Sequence, residues 1–186
     1  EYHPLGRLFD MDVLRQDGKA VSRGELGLPQ RSCLICGQSA KICARSRTHP
    51  VEELQVRTAK LLSRYFRGWR GELCSACAAR ALLYEVAVTP KPGLVDRENC
   101  GAHQDMDFFT FLDSGSVLAV WFYKMFCLGW DLAEQPVAQL FQRLQFIGRQ
   151  AEGEMFRATG GVNTHKGLIF SMGILCAALG KVQSRS

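Results

Sequence analysis

The segment Thr89 to Asp107, TPKPGLVDRENCGAHQDMD, concentrates side chains that can bind phosphate, hold a cation and move a proton. Pro90 and Pro92 exclude a regular helix, and Lys91, Pro92 and Gly93 read as a tight turn. Asp96, Arg97, Glu98, Asn99, His103, Asp105 and Asp107 follow within one short run. A solvated surface loop would have the same composition, but loops are also where chemistry is placed. A second polar segment, GGVNTHKG at 160–167, combines two glycines with Asn163 or Thr164 as a helix cap. The next helix starts at His165 and Lys166, so its free amides and a lysine make an anion site.

Two further clusters lie upstream. Asp10 and Asp12 alternate in RLFDMDVLR, where two carboxylates on one strand face can share a magnesium ion or simply form the wet face of a hairpin. Cys33 and Cys36, then Cys43 and His49, have the ligand types and spacing to close a tetrahedral zinc site; free thiols are the plainer reading. Cys74 and Cys77 repeat the two-residue gap, but on a helix they face one side and read as core.

These residues need a scaffold, and the rest of the chain predicts a mostly helical one. Phe9, Met11 and Val13 alternate with polar neighbours as a half-buried strand, Asp17-Gly18 turns it, and 19–23 returns. Pro50 opens a helix whose apolar stripe runs Val51, Leu54, Leu61, Leu62, Tyr65, opposite a basic face of Arg57, Lys60, Arg64 and Arg67. Gly68 and Gly71 punctuate the pattern before an Ala-rich helix at 72–88. Further helices are expected at 108–128, ending at Gly129, at 137–159 and at 168–182, the last apolar almost all round and reading as a central core helix. Their apolar stripes would bring both polar segments to one end of a bundle and form a cleft.

Composition sets the outer limits. The 186 residues are 47% apolar with a net charge of +5 and no polybasic tail, which suits a globular protein with a nucleotide or polyphosphate ligand. Eight cysteines without a signal peptide or an unbroken apolar run of membrane-spanning length point to a reducing, cytoplasmic setting, away from a disulfide framework or a membrane. A chain that opens at Glu1 and enters an ordered pattern at once reads as a fragment of a larger protein.

From residue 58 onward, TPKPGLVDRENCGAHQDMD and AEGEMFRATGGVNTHKGLIFSMGILCAALG resemble the triphosphoribosyl-dephospho-CoA synthase family of citrate lyase prosthetic-group synthesis. Residues 2–55, with HPLGRLFDMDVL and LPQRSCLICGQSAKICARSRTHPVEEL, resemble the C-terminal part of apo-citrate lyase phosphoribosyl-dephospho-CoA transferase. The chain is thus expected to join a transferase tail, 1–57, to the N-terminal half of an all-helical synthase, 58–186.

The resemblance implies a synthase that joins ATP and dephospho-CoA with release of adenine. It also implies a transferase that attaches the phosphoribosyl-dephospho-CoA group to a serine of the lyase's acyl carrier subunit and releases pyrophosphate. The synthase motif falls here on Lys91, Asp96, Arg97, Asn99, His103, Asp105, Glu152, Arg157, Asn163, Thr164, His165 and Lys166. Of these, Lys91, Arg97 and Lys166 suit phosphate, Asp105 or Glu152 a cationic sugar or the incoming hydroxyl, and His103 or His165 the leaving group or hydroxyl. Magnesium would bridge carboxylate and triphosphate. In the transferase-like piece, His3 and Arg7 are expected phosphate contacts and Asp10 and Asp12 the metal ligands. Because both families extend beyond these segments, this chain alone is expected to be inactive or weakly active. Two other classes fit parts of the sequence: a zinc-containing nucleic-acid-binding module built on the basic helix, and a non-catalytic piece that docks the carrier protein.

Overall fold

The computed structural model describes residues 3–9 and 11–185. It divides into two compact units, Glu1–Tyr65 and Phe66–Ser186. The elements are a 3-10 turn at Gly6–Leu8 and five helices: α1 Ala40–Ser46, α2 Val51–Ala87, α3 Phe108–Asp131, α4 Val137–Ala158 and α5 Lys166–Gln183.

The first unit holds no strand among its described residues. Where a half-buried hairpin is expected, a single antiparallel bridge joins Leu14 and Ala20, closed over Gly18 at φ 80°. The alternating pattern has nothing to pack against, and Met11 and Val13 are 71% and 59% exposed. A strand pair without a covered face is marginal, so only the turn survives. A second bridge, Ser32 with Ser39, closes the loop that carries Cys33 and Cys36.

Gly68 and Gly71 do not interrupt the chain. Helix α2 passes through both, and a Cβ on Gly71 would lie 2.9 Å from the Tyr123 ring. That glycine permits close approach to α3. Gly129 likewise lies inside α3 rather than ending it.

In the second unit α2 and α3 run antiparallel: Arg67 grips Asp131 with both arms at 2.7 and 2.6 Å, and Ser75 donates to the Ala119 carbonyl. Helices α3 and α5 run parallel, with α4 returning between them. They meet at near-backbone contact, since a Cβ on Gly129 would fall 1.9 Å from the Ala177 carbonyl oxygen and one on Gly180 would fall 2.0 Å from that of Phe126. Leu118, Phe122, Met125 and Phe126 of α3 are almost fully buried, together with Leu82, Met155 and Ile169. The core helix is therefore α3. Helix α5 buries one side only, through Ile169, Gly173, Cys176, Ala177 and Gly180, and exposes Phe170, Leu175 and Val182.

By length and apolarity alone, α3 and α5 would each reach across a bilayer, contrary to the reading that no segment does. In α3 much of that apolarity lines the shared core, whereas most of the α5 window is not buried. Of the two helical cysteines expected in the core, Cys74 is half-buried and Cys77 exposed.

Up-down-up-down connectivity has a direct consequence for the polar segments. The α2–α3 and α4–α5 connections both leave from the same end of the bundle.

Candidate functional site

Asp96 organises the first connection. Its carboxylate is 2% exposed and accepts from the backbone N–H groups of Glu98 at 2.8 Å, Lys91 at 2.9 Å and Asn99 at 3.0 Å, with the Asn99 amide at 3.4 Å. The Glu98 amide, followed by that of Lys91, holds its pKa below the usual carboxylate range. A buried acid so fully used by its own loop shapes the segment and leaves no free face for substrate. Asn99 is exposed but also serves its own loop, accepting from the Gly101 N–H at 2.8 Å. Gly101 is fixed by φ 59° and by contact, because a Cβ there would be 2.5 Å from the Gly93 backbone. The Thr89–Pro90 peptide is cis.

Around this frame, Arg97, His103 and Asp105 face solvent, with His103 Nδ1 3.9 Å from Asp105. Lys91 is only 12% exposed and binds Glu85 through its carboxylate at 2.6 Å and its carbonyl at 3.0 Å. Asp107 caps α3 in a reciprocal box with Thr110.

The second connection places His165 in the interior, 4% exposed. Thr164 donates to Ser114 Oγ at 2.8 Å, and Ser114 Oγ lies 2.7 Å from His165 Nδ1. Having accepted from Thr164, Ser114 can in turn donate to Nδ1, the arrangement in which the ring proton sits on Nε2; that nitrogen is buried without a protein partner. Phe111 packs edge-on at 5.0 Å, and the His165 backbone N–H meets Met155 Sδ at 3.2 Å. Desolvation pulls the imidazole down to about 4; nearby Glu85 opposes this and Lys91 reinforces it. Phe111 and Ser114 lie in the first two turns of α3, just after the 89–107 connection, so the ring sits at the bundle end from which both connections leave.

Asn163 accepts from the Lys166 N–H at 3.3 Å, and Lys166 Nζ lies 3.7 Å from Glu152. Glu152 and Arg149 border a narrow cleft of about 180 Å³ between α4 and α5, floored by Ile169 and Gly173. Arg157 pairs with Glu154 and is otherwise exposed, with no described contact to the other site residues. A larger groove of about 650 Å³ lies between α2 and α5 along Trp69, Leu73, Cys77, Leu175 and Leu179. It is apolar and contains none of the expected site residues. Polar chemistry belongs to the loop end instead.

Sequence reasoning missed Glu85 and Ser114. Both carried a signal: Glu85 is the last acid before the polar loop, and Ser114 is a hydroxyl on the core side of an apolar helix.

Burial of a neutral His165 predicts a pH dependence. Below the ordinary histidine pKa of about 6.5 the unfolded chain takes up a proton that the folded chain refuses, so stability is complete above that pH and falls towards pH 4. The loss across this window is on the order of 3 kcal/mol. His165→Gln should remove that slope, as urea unfolding of the two proteins at stepped pH would show; parallel curves would contradict it.

In the first unit, the expected phosphate contacts are engaged internally. His3 bonds Tyr65 OH at 3.2 Å and receives the Leu5 N–H at 3.1 Å, while Arg7 donates to the Ser32 carbonyl. Asp12 is exposed, and Asp10 lies outside the described residues. The expected magnesium pair therefore falls partly outside the described residues. Cys33, Cys36, Cys43 and His49 do converge, with one ligand atom from each within 4.8 Å of the others; among the described residues this is the one such group. The Gln38 backbone N–H, then His49 and Cys43, draw the Cys36 thiol down to about 6, and its bond with Cys36 pushes Cys43 up to about 11.

The helical bundle and its two motif-bearing connections coincide with a family of transferases. The family model for ATP:dephospho-CoA triphosphoribosyl transferase, CitG, matches residues 71–186, and the chain belongs to that family. Residues 1–65 match the model for apo-citrate lyase phosphoribosyl-dephospho-CoA transferase, CitX. Protein CitXG of Leuconostoc mesenteroides subsp. cremoris is 40% identical over 187 residues, covering 96% of this chain and 40% of that protein. Protein CitXG of Haemophilus influenzae is 39% identical over 180 residues, covering 96% and 38%. The 2-(5''-triphosphoribosyl)-3'-dephosphocoenzyme-A synthase of Haemophilus ducreyi is 41% identical over 151 residues, covering 81% and 46%. The chain thus spans less than half the length of these curated relatives. No solved structure matches it.

Proposed function

We propose that the protein carrying this chain makes and attaches the prosthetic group of citrate lyase in the cytoplasm. Residues 66–186 supply part of the site that joins ATP to dephospho-CoA, and residues 1–65 belong to the enzyme that passes the phosphoribosyl-dephospho-CoA group to the acyl carrier subunit. Within the two families, the chain carries the tail of the transferase and the first half of the synthase. The observation that carries the reading is that both motif-bearing connections leave one end of the bundle, where Ser114 and Phe111 at the start of α3 hold His165.

In the first reaction the bond from the ATP ribose to adenine breaks, its electron pair leaves with the base, and a hydroxyl of dephospho-CoA adds at the same carbon. The hydroxyl proton is given up and adenine gains one. An electron-poor sugar in between calls for a carboxylate, and the candidates are Asp105, which is exposed, and Glu152, which lies beside Lys166. Arg97 and Lys166 face the triphosphate, and Lys91 contributes charge while held by Glu85. His165 stays neutral near pH 7, so it is not a proton source; with Nε2 buried, its part in the reading is to hold Ser114 and Thr164 at the loop end. Asp96 and Asn99 act by shaping the loop. The described residues form no trio of carboxylates, so magnesium would arrive on the triphosphate and take one or two carboxylate ligands here, neutralising phosphate charge.

Incubating the whole protein that carries this chain with ATP, magnesium and dephospho-CoA should release adenine and form the triphosphoribosyl-dephospho-CoA product in equal amounts. Adding apo-carrier subunit should then increase the carrier's mass by one phosphoribosyl-dephospho-CoA group. Adenine formation that is independent of dephospho-CoA, or none at all, would reject the reading. Salt-sensitive binding to nucleic acid in place of these activities would favour the module built on the basic helix.

A further inference from the structure

We infer that Cys33, Cys36, Cys43 and Nε2 of His49 form a closed structural zinc site that fastens the loop 32–49 to the first turn of α2. The argument rests on the placement of the four side chains and on what surrounds each. Tetrahedral zinc with sulfur ligands at about 2.3 Å requires sulfurs about 3.8 Å apart. Cys36 and Cys43 have their sulfurs at 3.5 Å, and all four ligand atoms lie within 4.8 Å, so closure on an ion needs shifts of an ångström or less.

The backbone already has the form such a site demands. The Ser32–Ser39 bridge and Gly37 at φ 75° bend the segment back on itself. The Ile35 N–H points at Cys33 Sγ at 3.5 Å, which stabilises a thiolate. Cys33 is buried, although it sits in a small unit with few other buried apolar side chains.

His49 supplies an independent indication. Its Nε2 is buried with no hydrogen-bond partner, while Nδ1 lies 3.5 Å from the Glu53 carboxylate. A metal-bound histidine characteristically gives its second ring proton to a carboxylate, which fixes the tautomer and aims the other nitrogen. Glu53, one turn into α2, is therefore a positioning residue. Four protein ligands leave no open place for water, so the ion supports folding and takes no part in group transfer.

The test uses the whole protein, purified without chelators. Elemental analysis should find about one zinc per chain. Replacement by cobalt(II) should give the thiolate charge-transfer and intense visible bands of a tetrahedral site. Cys36→Ser should abolish both, Cys77→Ser should leave both intact, and Glu53→Gln should keep the spectrum while weakening affinity about 10- to 100-fold. Should Cys36→Ser fail to fold, the cobalt spectrum and zinc content of the unaltered protein decide the matter. Metal-free protein with all four groups reactive, a Cys36–Cys43 disulfide found by mass spectrometry, or zinc retained by a folded Cys36→Ser protein would each overturn the assignment.

Discussion

Asp96→Ala should lower adenine release from ATP and dephospho-CoA by about a hundredfold, although its carboxylate makes no outward contact. Removing it strips three backbone N–H groups of the buried acceptor on which the turn closes. Lys91, whose amide is one of the three, then loses its fixed place beside Glu85. Arg97, His103 and Asp105 are carried by the same frame. Asp96→Asn keeps one acceptor oxygen and should cost far less. The helices do not depend on this loop, so circular dichroism should be unchanged while turnover collapses. Full activity in Asp96→Ala would show that the α2–α3 connection is not part of the site.

The second large effect concerns stability. Gly180→Ala should destabilise the second unit by about 3 kcal/mol or more, because the added methyl falls on backbone, where no rotamer change can relieve it. Gly129→Ala should behave alike. By contrast, Gly153→Ala on α4 meets nothing within 4 Å and should stabilise by about 0.5–1 kcal/mol through the lower freedom of the unfolded chain. Chemical denaturation of the three variants provides the comparison. Similar midpoints for Gly180→Ala and Gly153→Ala would mean that α3 and α5 do not touch as described.

The helices and the two functional connections were legible because their signals are local. Period-3.6 stripes fix α3 and α4 to within a few residues, and prolines and acids mark 89–107 as a loop. What escaped depends on partners distant in sequence. A glycine that breaks a helix and one that admits a neighbouring helix look identical in a single chain, which is why Gly68, Gly71 and Gly129 were read as boundaries. The alternation at 7–15 is genuine, but a strand also needs a surface to cover it, and sequence does not show that Met11 and Val13 have none. Asp96 and Asn99 were recognisable as functional residue types, but whether each faces a ligand or its own loop is decided by backbone amides that carry no letter. Conversely, the cysteine spacing correctly anticipated which four side chains would come together.

The glycine crossing also has a reach beyond its own neighbourhood. The same number of residues separates Ser114 from Gly129 as separates His165 from Gly180, about four turns or 22 Å along two parallel rods. With backbone lodged against backbone at one end, neither rod can slide by a residue. The hydroxyl-to-imidazole distance at the opposite end is thus gauged remotely. A methyl group added at the crossing should disturb catalysis before it melts the protein.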